Sequence, residues 1–288
     1  MKKIVKIGPA SVELAEFAEP AASTVPAYWA EACKHLVKKD RVMKRLIPQF
    51  GDTCLHSRGD AFSTLARSIV GQQISVKAAQ TVWHRFMDVV EKSRTARPPQ
   101  GPRALLEGSA ARKAASVGAE FSAGPPQGKL APSGGSAARK AASVGAMLTP
   151  GNVLKLKVDD MRATGLSARK VEYLVDLSIH FDAGTVHVTD WQAMDDEDII
   201  AELVAIRGIG RWTAEMFLIF YLMRPNVLPL DDIGLLNGIS KNYFSGESVS
   251  RSDAREVAAA WAPYCSVATW YIWRSLDPLP VPVPSRII

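Results

Sequence analysis

Apolar residues recur at three- and four-residue intervals through most of the chain, the spacing of helices that bury one face. Pro26-Ala-Tyr-Trp29 opens a segment with Trp29, Ala32, Cys33 and Leu36 in that register. Phe62, Leu65, Ala66, Ile69 and Val70 repeat it. Ser75 is placed to N-cap a long helix with Ala78, Ala79, Val82, Trp83 and Phe86 on its inner face. Ser167 is placed to cap another that turns Val171, Leu174, Val175 and Ile179 inward. Periodicity predicts further helices at about 195–205, 211–223, 232–243, 251–262 and 264–275. Only Lys3 to Ile7 and Gly184 to Val188 alternate as short strands would. The predicted fold class is mainly α.

The helical pattern breaks between Thr95 and Thr149, where Ala, Gly, Ser and Pro dominate and Phe121 is the lone aromatic. A twelve-residue block, Gly108 to Ala119, recurs unchanged as Gly135 to Ala146. Two polar copies are too few for a solenoid, and such sequence buries too little apolar surface to offset its ordering entropy. The expected organisation is an N-terminal segment (1–24), a helical domain in two blocks (25–94 and 150–276), a flexible low-complexity insert (95–149) and a Pro-rich tail (277–288).

Composition narrows the class. A hydrophobic content of 47% over 288 residues argues against a wholly disordered chain. The longest apolar run, Met216 to Met223, has eight residues, against about 18 for a membrane span. No signal-peptide apolar region forms after Met1-Lys2-Lys3, and the three cysteines fit neither a disulfide framework nor a CxxC metal site. A reduced, cytoplasmic protein is the expectation. The net charge is +6, from 35 Lys+Arg against 29 Asp+Glu. Residues 91–150 hold nine of those cations and three acids, so they carry the whole excess. The insert is either an inert surface duplication, the preferred reading, or a basic tether for nucleic acid. The helical blocks balance at 26 charges of each sign and gain no support from net charge as nucleic-acid binders.

The most informative stretch runs from Asp195 to Phe220. An acidic start suits one helix dipole. Gly208-Ile209-Gly210 then turns the chain, and a second helix starts at Arg211. Glycines allow positive φ and close backbone approach, so amides at the second helix start can point at a phosphate, while Ile209 plugs the turn into the core. Gly208, Ile209, Gly210 and Thr213 thus form a candidate clamp on a DNA backbone; the plain alternative is a structural turn. Downstream, Pro229-Leu-Asp231-Asp232 precedes another helix. An Asp there is ordinarily an N-cap, and two adjacent Asp allow one to cap while the other projects into a cleft.

A hairpin of this kind followed some twenty residues later by a Pro and an Asp resembles the helix-hairpin-helix-GPD superfamily of DNA glycosylases. Within it, Ile69-Val-Gly-Gln-Gln-Ile-Ser75, Gly165-Leu-Ser-Ala-Arg-Lys170 and Gly208-Ile-Gly-Arg-Trp-Thr-Ala214 resemble the 3-methyladenine DNA glycosylase II family, which acts on alkylated bases. The resemblance covers about residues 25–92 and 150–276 and departs at the insert. It implies two helical subdomains flanking a cleft and double-stranded DNA with damaged bases as the partner of a monomeric enzyme. It places the catalytic carboxylate on Asp232 and leaves Asp231 to cap the helix. Trp212, Trp273 and Tyr271 would line the base pocket, with Tyr28, Trp29 and Trp270 as weaker candidates; each has a plain reading as a core aromatic. Gln72 and Gln73 match the place from which relatives insert a wedge into the vacated stack.

The chemistry follows from these residue types. Breaking an N-glycosidic bond develops cationic character at C1′, which a carboxylate stabilises while it orients or deprotonates water. A 3- or 7-alkylated purine is already cationic and leaves without a separate acid. Superfamily members that also cut the strand carry a Lys where Trp212 stands, so a monofunctional enzyme without lyase activity is implied. The iron–sulfur cysteines of another branch are missing, and no cofactor is expected beyond a monovalent cation on the carbonyls of Val204, Ile206 and Ile209. The five histidines lack metal spacing. Arg169 and Lys170, near a helix start, either face a phosphate or are solvated. Two further readings stay open: a superfamily enzyme for deaminated or oxidised bases, and a non-catalytic DNA-binding module.

Overall fold

The computed structural model describes residues 25–51, 53–57, 59–95 and 148–277. Expectations for 1–24, for Lys3 to Ile7, for 96–147 and for the tail beyond 277 lie outside those residues. Twelve α-helices are present among the described residues: α1 (Trp29–Lys39), α2 (Arg41–Leu46), α3 (Ala61–Gly71), α4 (Val76–Thr95), α5 (Pro150–Leu154), α6 (Val158–Ala163), α7 (Ala168–Asp182), α8 (Asp196–Val204), α9 (Arg211–Phe220), α10 (Ile233–Tyr243), α11 (Arg251–Ala258) and α12 (Cys265–Arg274). A 3₁₀ turn, Ile47–Phe50, follows α2. Residues 184–188 form no strand; the alternation there belongs to an irregular connection with Val186 buried and Val188 exposed.

Short polar side chains start most of these helices, because the first amides of a helix have no intrahelical acceptor. Asp40 accepts from Val42 and Met43, Asp60 from Ser63, Thr149 from Asn152 and Ser167 from Lys170. Ser250 and Asp253 cap α11 reciprocally. Each such cap stabilises its helix by about 1 kcal/mol. The predicted inner faces hold with two changes of register. Ala78 is exposed while Ala79, Trp83 and Phe86 are buried; in α7 Leu177 is buried and Ile179 is half exposed. Both helices pack on one stripe only, and residues at its margin are set by neighbours rather than by spacing.

Two groups of helices share one continuous apolar core. In the first, α7 packs against α3 and α5, α4 against α3, and α8 against α9. In the second, α12 packs against α1, α2 and α10, and α11 against α10. The second group is drawn together by Asp40, whose Oδ2 accepts from the Tyr243 hydroxyl (2.8 Å) and the Trp261 indole (3.1 Å). Gly238 lets α10 and α12 cross closely: a Cβ there would come within 2.3 Å of Ile272 Cγ2. That crossing sets Trp273 beside the start of α10. The chain resumes from the insert at Leu148, which is already in the core.

Candidate active site and nucleic-acid interface

Asp232 sits at the seam between the two groups, 4% exposed. Its Oδ1 accepts from the Leu235 amide (2.6 Å) and the Trp273 indole (2.8 Å), and its Oδ2 accepts from the Trp212 indole (2.8 Å). All three partners are N–H donors, the set that an ionised carboxylate can use. Oδ2 takes one bond where Oδ1 takes two, so Oδ2 keeps more capacity for water or a developing cation.

The expected division between the two aspartates is overturned. Asp231 does not cap α10; it is exposed and pairs with Arg251 (2.6 Å). An N-cap residue directly precedes the first helical residue and its side-chain oxygen accepts from an amide two or three residues on; α10 begins at Ile233, so the geometry selects Asp232, which accepts from Leu235. The labour is divided between the two oxygens of one carboxylate rather than between two residues.

Of the predicted pocket aromatics, Trp212 and Trp273 converge on Asp232. Trp273 is 2% exposed and stacked on Phe220 at 5.6 Å between ring centres. Tyr271 is not part of this arrangement. It precedes Trp273 by two residues, about 200° round the helix, and its hydroxyl meets Cys33 Sγ (3.4 Å) among Trp29, Phe50 and Trp270. Burial raises its phenol pKa above the ordinary value. Trp29 and Trp270 are core residues, and Tyr28 donates to the Met223 carbonyl (2.7 Å). Phe220 had no distinguishing signal in the sequence, being one apolar residue in a run of them.

The hairpin is built to present backbone. Gly208 has φ +87°, and a Cβ there would meet the Tyr173 ring at 2.2 Å. Ile209 is buried as expected. Gly210 N-caps α9 without a side-chain bond, leaving the first amides of α9 without an intrahelical acceptor. Thr213 is buried; as the third residue of α9 it contributes an amide without an intrahelical acceptor. The hairpin cations are taken up by neighbours. Arg211 is forked onto Glu197 (2.8 and 2.5 Å) and donates to Glu215 (3.1 Å); Arg207 pairs with Glu172 (3.5 Å). Burial raises the Glu215 carboxyl pKa, against the pull of Arg211.

Beside the hairpin lies the turn between α3 and α4. Gln73 has φ +59° and is exposed at its tip. Gln72 is half-buried and donates from Nε2 to the Gly208 carbonyl (2.9 Å). Lys170 is half-buried and turned inward: its Nζ donates to the carbonyls of Val70 (2.8 Å) and Gln72 (2.7 Å). Nothing in the local sequence distinguished these inward-turned roles. Among the described residues no group of three or more His, Cys, Asp or Glu side chains is placed to hold a metal. No helix there is long and apolar enough to cross a membrane.

The hairpin with its uncapped helix start, the exposed Gln73 turn beside it and the buried Asp232 carboxylate at the seam between the helical groups are the features to set beside known proteins. The family model described as HhH-GPD superfamily base excision DNA repair protein matches residues 66–263, and the chain belongs to that superfamily. A putative DNA-3-methyladenine glycosylase of Bacillus subtilis is 38% identical over 128 residues, 44% of this chain and 45% of that protein. DNA-3-methyladenine glycosylase 1 of Schizosaccharomyces pombe is 32% identical over 128 residues, 44% of this chain and 56% of that protein. These matches span about half the length of the curated relatives. Over 85% of the chain, the crystal structure of a Bacillus halodurans DNA-3-methyladenine glycosidase aligns with a TM-score of 0.63 and 27% identity, covering 88% of that chain. The S. pombe 3-methyladenine DNA glycosylase in complex with abasic DNA aligns at 0.57 and 25%, covering 85% and 96% of the two chains.

Proposed function

We propose that the protein is a monofunctional DNA glycosylase that hydrolyses the N-glycosidic bond of 3- and 7-alkylated purines and leaves an abasic site for base-excision repair. The observation that carries this reading is the Asp232 carboxylate, held by two indoles and a helix-start amide. Fixed donors hold it in place before substrate arrives, so little reorganisation remains when positive charge develops at C1′. Oδ2 is the oxygen that faces that charge or orients the attacking water. The half-buried Trp212 indole offers a face that suits an electron-poor, cationic base, which stacks and gains cation–π attraction, while Trp273, buried against Phe220, backs the pocket and holds Asp232.

The hairpin takes a DNA phosphate on its amides. Gln73, at the exposed tip, enters the gap left by the extruded nucleotide. Gln72 is bound to the hairpin and is not free to do so. Trp212 offers no amine for a Schiff base, which supports hydrolysis without strand cleavage. A monovalent cation on the carbonyls of Val204, Ile206 and Ile209 would reinforce the hairpin; the Ile206 carbonyl already accepts from the Ile209 amide (3.1 Å) and would share its second lone pair. The enzyme acts as a monomer.

The test is release of free base from methylated duplex DNA, with Asp232→Asn as control. Wild type releases 3-methyladenine and 7-methylguanine, and the variant loses at least about 100-fold in single-turnover rate. Release from deaminated or oxidised bases only would move the assignment to another lesion class. A borohydride-trapped adduct would overturn the monofunctional reading.

A further inference from the structure

Lys170 stands at an unfavourable place for a cation. It is the third residue of α7, where the helix dipole repels positive charge, and it is partly withdrawn from water. Burial lowers its ammonium pKa from the usual lysine value. Its compensation is local and specific: two carbonyls, Val70 and Gln72, which close α3 and open the turn that carries Gln73. The same face of α7 continues with Tyr173, whose ring packs beneath Gly208, and Asp176, whose Oδ2 accepts from the Arg207 amide (2.8 Å). Positions 170, 173 and 176 follow one oblique i, i+3 stripe that winds partly round α7. One end of the stripe therefore holds the turn and the other end holds the hairpin. Gln72 Nε2 joins the two directly at the Gly208 carbonyl.

We propose that Lys170 is a positioning residue for base extrusion: it fixes the Gln73 turn relative to the hairpin, so that phosphate capture and wedge insertion occur in one rigid step. This rests on the glycosylase reading above. Lys170 touches neither the reacting atoms nor the hairpin amides. Its loss loosens the tip of the wedge while leaving the clamp and Asp232 in place. A helix cap with no further role would change stability alone.

The experiment compares Lys170→Met, Lys170→Arg and Gln73→Ala. The first readout is fluorescence of 2-aminopurine placed next to a tetrahydrofuran abasic analogue in duplex DNA, which reports stack opening without any lesion chemistry. Lys170→Met is expected to lose most of the signal at saturating protein, with affinity for the same duplex within about threefold of wild type. The second readout is single-turnover excision of an alkylated base. Lys170→Met is expected to fall by about 10- to 100-fold in duplex DNA, but by no more than about twofold when the lesion lies in an unpaired bubble that needs no wedge. Lys170→Arg restores part of both. Gln73→Ala gives the same pattern, and the double variant is no worse than either single one, because the two losses are one loss.

Independent, additive losses, or equal losses on duplex and bubble, overturn the proposal; so does a Lys170→Met variant that opens the stack normally. If Lys170→Met does not fold, Gln72→Leu removes the parallel direct bond between the turn and the Gly208 carbonyl and is expected to lose stack opening in the same way. A wild-type chain that opens the stack but excises no base refutes the functional reading and leaves this one standing.

Discussion

At the hairpin the charged side chains are paired within the protein, while the first amides of α9 have no intrahelical acceptor. At Asp232 the side chain itself is engaged at the seam, capping α10 with Oδ1 and accepting an indole N–H on each oxygen. Arg207 and Arg211 are paired with Glu172, Glu197 and Glu215, so the clamp presents amides rather than free charge. The Asp232 oxygens, by contrast, are surrounded by donors from three elements. Backbone capture recognises what every nucleotide shares, whereas a buried carboxylate acts on one bond. The balance of charge in the helical blocks is therefore compatible with DNA binding: the proposed contact is made by dipoles and does not register in a count of lysines and arginines.

The sharpest way to break this contrast is at Trp273. Trp273→Ala removes a buried indole and its stack on Phe220, and should cost about 3–5 kcal/mol of stability by urea unfolding. Trp273→Phe keeps an aromatic face on Phe220 but loses the bond to Oδ1 and part of the ring volume; single-turnover excision should fall about tenfold or more, with the lost charge-assisted hydrogen bond accounting for about 1.5 kcal/mol. Wild-type excision by Trp273→Phe would show that the indole bond does not tune Asp232.

On the other side, Gly208→Ala forces a Cβ into Tyr173 at positive φ. Affinity for abasic-analogue DNA should drop about tenfold or more by fluorescence anisotropy, with excision at saturating enzyme within about threefold of wild type. A loss confined to the chemical step would reverse the roles assigned to the two regions. The smallest effect is expected at Arg207, exposed and already paired: Arg207→Ala should change DNA affinity by less than about threefold and the salt slope by less than one. A large change would mean that the clamp works by side-chain charge after all.

What the sequence made legible tracks the range over which each feature is determined. The hairpin was readable because Gly-Ile-Gly between two amphipathic segments specifies its own turn, and the helix starts at Ser75 and Ser167 were readable for the same local reason. The capping residue at α10 was not, since Asp231 and Asp232 are equivalent until the first helical residue is fixed. Tyr271 and Trp273 both look like pocket aromatics in a line of sequence, and only the helix phase separates them. Lys170 and Gln72 were the least legible, because their partners lie 98 to 136 residues away and are backbone carbonyls without side-chain identity. Motif resemblance located these residues without revealing which way they turn.

The central claim is that Asp232, held between Trp212 and Trp273, performs the hydrolysis. The direct measurement is single-turnover release of 7-methylguanine from duplex DNA by wild type and Asp232→Asn, with DNA affinity measured alongside. Asn can still cap α10, so the fold and the clamp should survive. Its amide cannot supply the second acceptor oxygen or the charge. The expected result is an excision rate lowered by at least about 100-fold with affinity within about threefold. Excision by Asp232→Asn within a few-fold of wild type would contradict the account.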